Sequence, residues 1–244
     1  MGRLTEAIKH LLIINVLFFL VTLSLGDQMY EWFSLYFFEN PNFRWWQVIT
    51  HMFMHGNFMH ILFNMYALWA FGTPLERSWG RNKFLFFYFS AGIGAALIHT
   101  GANYFFFHQG LEALVASGIP ETQILDIIVE GKYSPEWYQA TSQNSVDSFL
   151  GAYSTPAVGA SGAVYGVLVA FAFMFPQAEL MLIFLPIPIK AKYFVPLLIL
   201  GDFFFGFTNT STGIAHFAHI GGALIGFIMM WYWKKNQFTK NRWN

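Results

Sequence analysis

Residues 157–175 read AVGASGAVYGVLVAFAFMF, nineteen positions without a charge. A helix crossing a bilayer needs about 20 predominantly apolar residues, so the stretch predicts a span over Ala157–Phe175. Five more apolar stretches flank it, at Ala7–Leu25, Asn57–Pro74, Lys83–His99, Tyr193–Phe207 and Ile214–Trp233. Composition points the same way. Of 244 residues, 56% are hydrophobic and 11% charged, against about 25% charged in soluble domains. The expected fold is an all-α membrane protein, a six-transmembrane-helix bundle forming one domain over residues 1–244. A further apolar patch, Leu180–Ile189, contains Pro186 and Pro188, which oppose a helix and predict a loop lying on the membrane.

Basic residues set the expected orientation. Arg3 and Lys9 precede the first stretch; Arg77, Arg81 and Lys83 join the second and third; Lys190 and Lys192 join the fourth and fifth. Lys234, Lys235, Lys240 and Arg242 follow the sixth, leaving only Arg44 and Lys132 for the other side. Both termini are therefore expected in the cytoplasm, in an integral multi-pass protein. The bacterial inner membrane is the expected location. The first stretch ends without a clean small-residue cleavage site and reads as a retained signal anchor. Net charge is zero, so nothing points to nucleic acid. The absence of cysteine excludes disulfides, thiolate metal sites and a cysteine nucleophile.

Between the third and fourth stretches lies an insert of about residues 101–156, expected outside the cell. It holds six acids and one lysine. Pro120–Glu130 sets Ile124, Leu125, Ile127 and Ile128 against Glu121, Asp126 and Glu130, with Gly131 as a stop. That spacing predicts a short amphipathic helix, and Ser134-Pro135 opens a second candidate.

Polar groups inside membrane spans are costly and mark function. Here they include His60, Asn64, His99, Ser161, Asp202, His216 and His219, with a few threonines and tyrosines. Gly159, Gly162 and Gly166 surround Ser161 with little bulk, the clearance a nucleophile needs for a substrate carbonyl to approach. Gly162 and Gly166 equally fit a helix-packing pair. His219, Gly222 and Gly226 fall at i, i+3 and i+7 on one helical face, so a helix could press close beneath the imidazole. His60 and Asn64, at i and i+4, could donate hydrogen bonds to an oxyanion or act as interhelical glue. Ser161, His219 and His60 each lie near the start of an even-numbered stretch. They thus share one depth, roughly 5–8 Å below the outer surface at 1.5 Å per residue. A serine and a histidine at one depth predict a nucleophile and its base. The one carboxylate at membrane depth, Asp202 in the fifth stretch, is expected at the interface or bonded to another helix rather than orienting His219, so a dyad is expected.

These residues resemble the rhomboid family of intramembrane serine proteases. Gly159-Ala160-Ser161-Gly162 is similar to the family's nucleophile motif, and His219, Gly222 and Gly226 to its sixth-helix motif. His60 and Asn64, after Phe53-Met54-His55, resemble its second-helix motif, and Leu75-Glu76-Arg77 with Gly80 the loop that follows. The resemblance implies a six-helix core, a Ser161–His219 dyad, and no metal or cofactor. It implies an oxyanion hole of His60, Asn64 and the Ser161 amide, with Tyr165 packed on the catalytic histidine. The implied partners are membrane lipid and single-span transmembrane substrates cut near their external boundary; no oligomeric state is implied. One departure is Phe43-Arg44-Trp45-Trp46-Gln47, where the arginine is displaced from the family's Trp-Arg pair.

Two rivals remain. A metal site could use His51, His55 and His60, the first two at i and i+4, but no further ligand block completes a set. A catalytically inactive rhomboid-like binder of client helices would be expected to lose the serine or the histidine, and both are present.

Overall fold

The structure, a computed structural model, describes residues 4–182, 185–208 and 215–236. Arg3, Ile214, Lys240 and Arg242, used above for topology and span ends, lie outside the described residues. The long helices are α1 (Glu6–Leu25), α2 (Phe58–Ala67, continuing through Leu68–Gly72 into Thr73–Trp79), α3 (Arg81–Ala116), α4 (Ser161–Met174), α5 (Ala191–Phe207) and α6 (His216–Asn236). Two of them, α1 and α3, have the length and apolarity of a membrane crossing, while α4 is apolar but only 14 residues long.

Local chemistry explains where α2 bends and stops. Pro74 has no N–H for the Ala70 carbonyl, and the preceding turn widens to π geometry over Leu68–Gly72. Gly80, at φ +80°, then reverses the chain into α3. Thr5 gives α1 no side-chain cap. Buried Glu76 of α2 supplies one, accepting the Ala7 and Ile8 amides at 2.8 and 3.0 Å. A carboxylate there satisfies orphan donors and suits the positive end of the helix dipole.

The centre of the molecule is the packing of α3, α4 and α6 through small residues. A Cβ at Gly222 would overlap the Gly162 carbonyl oxygen, and one at Gly226 would fall 2.7 Å from the Gly166 Cα. On the opposite side of α4, Gly162 and Gly166 face the Ala95 and Ala91 methyls of α3. The backbones of α4 and α6 are thus in direct contact, which brings residue 161 to residue 219. Gly222→Ala is expected to force these helices apart and cost about 1–3 kcal/mol or more. Thermal unfolding in detergent should show the loss, whereas Gly101→Ala, which meets open space, should be tolerated.

The insert differs from expectation. The third helix does not stop near His99; α3 continues to Ala116, 36 residues in all. At 1.5 Å per residue that is about 54 Å, well beyond the ~30 Å hydrocarbon core. Its C-terminal half carries a second apolar cluster in which Phe107, Leu111 and Leu114 meet Ile124, Trp137 and Phe149. The amphipathic helix expected over Pro120–Glu130 is present as Glu121–Val129, with Ile124 and Ile128 buried. The Ser134-Pro135 candidate yields only a turn of helix, Trp137–Ala140. A longer helix, Gln143–Ser154, is capped by Ser142 and approaches α3 closely at Gly110.

The Leu180–Ile189 patch is not an irregular loop. Glu179–Leu182 pairs antiparallel with Leu185–Lys190, with Glu179 opposite Lys190. Pro186 and Pro188 are two residues apart, so their missing N–H groups fall on the same side of a strand that has a free edge.

Candidate active site

Ser161 is the first residue of α4, and its position follows from the chain just before it. Ala157 makes an isolated antiparallel bridge with Leu35, and the Gly159 N–H donates to the His51 carbonyl at 2.9 Å. Gly159 then takes φ +123°, a conformation that side chains rarely permit. This extended segment and sharp turn deliver the Ser161 hydroxyl to the N-terminus of a helix. Amides in the first turn of a helix lack intrahelical partners, so the Ser161 and Gly162 N–H groups are suited to receive negative charge.

His219 lies one turn into α6. The Ser161 Oγ is 2.9 Å from its Nε2, and the Asp202 Oδ1 is 3.0 Å from its Nδ1. Ionised Asp202 can only accept, so the Nδ1 carries the proton and the Nε2 presents its lone pair to the serine hydroxyl. Both side chains are largely enclosed, at 12% exposure for His219 and 7% for Asp202. Tyr165 stacks on the imidazole with centroids 4.2 Å apart and planes 14° off parallel. His216, one turn before His219, places its Nδ1 2.6 Å from the same Oδ1. One carboxylate oxygen is therefore held by two imidazoles from one face of α6.

The dyad expected from sequence omitted this acid. Asp202 on α5 completes a serine–histidine–carboxylate chain, and His216 braces it. A signal was available in the sequence. His216 and His219 stand at i and i+3 on one face, and two inward imidazoles need an acceptor; Asp202 is the one carboxylate in the spans inferred above.

His60 and Asn64 reach the same place from α2. A Cβ on Gly159 would lie 2.7 Å from the His60 Nε2 and 3.5 Å from the Ser161 Oγ, so the ring and the hydroxyl flank that glycine. The Gly56 N–H approaches the His60 Nδ1 at 3.4 Å. With Nδ1 accepting, Nε2 is the protonated nitrogen and the donor on the Ser161 side. Asn57 caps α2 by accepting the His60 amide at 2.9 Å, which fixes the turn. Asn64 is buried and spends one Nδ2 hydrogen on the His60 carbonyl at 2.9 Å; its second hydrogen has no partner among the described residues. His60, Asn64, Ser161, Tyr165 and His219 share the wall of one open cavity of about 780 Å³, joined by His99 and Asn103 of α3 and Thr155 of the insert.

The supporting glycines have distinct positions. Gly159 forms the turn, Gly162 faces α3, and Gly222 and Gly226 face α4. The metal grouping of His51, His55 and His60 does not assemble. His51 turns its Nδ1 to the Gln47 carbonyl at 2.8 Å, and burial pushes its pKa down to about 4. His55 is fully buried with its ring edge-on to His60. Among the described residues, Asp202, His216 and His219 are the group whose potential ligand atoms lie within 4.8 Å of one another, and Asp202 joins both imidazoles by hydrogen bonds.

A sequence model described as "Rhomboid domain" matches residues 42–118 and 137–236. The unmatched segment between them contains the helix Glu121–Val129. Rhomboid protein 1, mitochondrial, of Saccharomyces cerevisiae is 26% identical over 195 residues, covering 77% of this chain and 42% of that protein. RHOMBOID-like protein 12, mitochondrial, of Arabidopsis thaliana is 29% identical, covering 78% and 47%. Rhomboid protease AarA of Providencia stuartii is 28% identical, covering 76% and 54%. The chain spans about half the length of these relatives. Two of these relatives are mitochondrial, which conflicts with the bacterial inner membrane expected above; the family match supports a membrane protein and no particular membrane.

Proposed function

The chain belongs to the rhomboid family, and on that basis we propose that it is an intramembrane serine endopeptidase cleaving single-span membrane proteins near the external face. In this reading α1 to α6 each cross the bilayer, with both termini cytoplasmic and the insert outside. The observation that carries the proposal is the unbroken chain from Ser161 Oγ to His219 Nε2 and from His219 Nδ1 to Asp202, on the wall of an open cavity.

Mechanism follows from the donors and acceptors. A scissile carbonyl enters at Gly159, between the His60 ring and the Ser161 hydroxyl that flank it. Ser161 attacks the carbonyl carbon while His219 takes the hydroxyl proton at Nε2. Asp202 keeps the Nδ1–H tautomer and stabilises the imidazolium that forms. The developing oxyanion meets the Ser161 and Gly162 amides, the His60 Nε2–H and the remaining Asn64 hydrogen; one such donor is worth about 3–4 kcal/mol. His219 then protonates the leaving amine, and water from the external side hydrolyses the acyl-enzyme by the same route in reverse. Helical carbonyls are already hydrogen-bonded, so the substrate must unwind locally, which favours Gly, Ala or Ser near the cut. A binder of client helices has no use for a carboxylate-backed serine–histidine pair, and the inactive reading gains no support from the geometry.

The proposal is tested by reconstituting the protein with labelled single-span substrates and sequencing the products. Cuts should map to the external end of the membrane segment; intact substrate under all conditions would end the reading. His216 gives a sharper test of the array. His216→Asn keeps an N–H at the Nδ1 position and should retain most activity. His216→Leu should lower kcat about 10-fold or more with little change in KM, because Asp202 loses one of its two imidazole donors.

A further inference from the structure

A second cavity, of about 560 Å³, lies between α4, α5 and α6, and none of its lining residues lines the cavity at Ser161. Its walls are apolar, among them Ala172 and Phe173 of α4, Ile199 and Phe203 of α5, and Ala223 of α6. Small side chains at 172 and 223 leave the space. Pro196, inside α5, also lines it and deprives the Lys192 carbonyl of its helical donor. Among the described residues, the charged ones lining it are Lys192 and Lys234, both exposed, at the start of α5 and the end of α6.

Dimensions limit the occupant. From Lys192 to Phe203 is about 16 Å along α5, half of the ~30 Å hydrocarbon core. The groove is therefore one leaflet deep, with its cations at the headgroup level of that leaflet. We infer that it binds one acyl chain of an anionic phospholipid from the cytoplasmic leaflet, with the phosphate held between Lys192 and Lys234. The inference rests on the orientation proposed above. It places the end of the chain against Phe203 and Ile220, the sequence neighbours of Asp202 and His219, so the lipid fills the space behind the helices that carry the catalytic array.

The test is competition between phosphatidylglycerol and phosphatidylcholine for the purified protein, read by native mass spectrometry of retained lipid. Wild type should retain phosphatidylglycerol preferentially. Lys192→Gln with Lys234→Gln should reduce that preference about 30-fold. Ala172→Leu, which fills the groove without changing charge, should abolish retention. Lys190→Gln with Lys235→Gln, which alters nearby charge outside the groove, should leave retention unchanged. The inference is overturned if wild type shows no preference, if the control pair loses as much as the groove pair, or if Ala172→Leu retains lipid like wild type. The readout is lipid rather than cleavage, so its failure is distinct from failure of the protease reading.

Discussion

Ser161→Ala is expected to reduce cleavage of a labelled single-span substrate to the uncatalysed background, a loss on the order of 10⁶-fold in kcat. Among the described residues, the hydroxyl is the one nucleophile that His219 touches through its Nε2. His219→Ala should cost about as much, since a serine without its base is no nucleophile at neutral pH. Residues acting as a unit are non-additive, so the double variant should be no worse than either single one. The side chain at 161 is small and the helix around it is held by glycine contacts, so the folded state should survive both changes. Thermal unfolding is the control. Substantial cleavage by a folded Ser161→Ala protein would place the chemistry elsewhere.

Asp202→Asn should lower kcat by about 10²–10⁴-fold with little effect on KM. The carboxylate accepts from His219 at 3.0 Å and from His216 at 2.6 Å. An amide at this position offers hydrogens as well as an oxygen, and His216 competes for the oxygen. When the amide N–H faces His219, Nδ1 becomes the acceptor and Nε2 carries the proton. That tautomer cannot accept the serine hydroxyl proton. The change is close to isosteric, so binding of substrate over Gly159 is untouched. Activity within threefold of wild type would mean that Asp202 does not orient His219, and the array would reduce to the pair expected from sequence.

The candidate site was legible because apolar surroundings make every polar residue conspicuous. In a chain with 11% charge, a serine between glycines and a histidine followed by glycines at i+3 and i+7 carry most of the information. The same economy exposed His60 and Asn64. Asp202 escaped because its value depends on which helix α5 packs against, and periodicity within α5 does not encode its neighbour. The extension of α3 to Ala116 escaped for another reason. In the six-span reading, a change from apolar to mixed composition near Gly101 marks the edge of the membrane, and an edge of the membrane is not the end of a helix. In Gln143–Ser154, buried Val146, Phe149, Ala152 and Tyr153 have helical spacing, but Gln143, Asn144, Ser145, Asp147 and Ser148 hide it. The hairpin at Glu179–Lys190 was missed because its prolines argue only against a helix and leave strand and loop equally open.

The central claim is that Ser161 is an activated nucleophile, and covalent trapping tests it most directly. Wild-type protein in detergent is treated with a fluorophosphonate, digested, and the modified peptide sequenced by mass spectrometry. The account predicts an adduct on Ser161 that disappears in His219→Ala and forms far more slowly in Asp202→Asn. An unmodified Ser161 in folded wild-type protein, or equal labelling with and without His219, would contradict it.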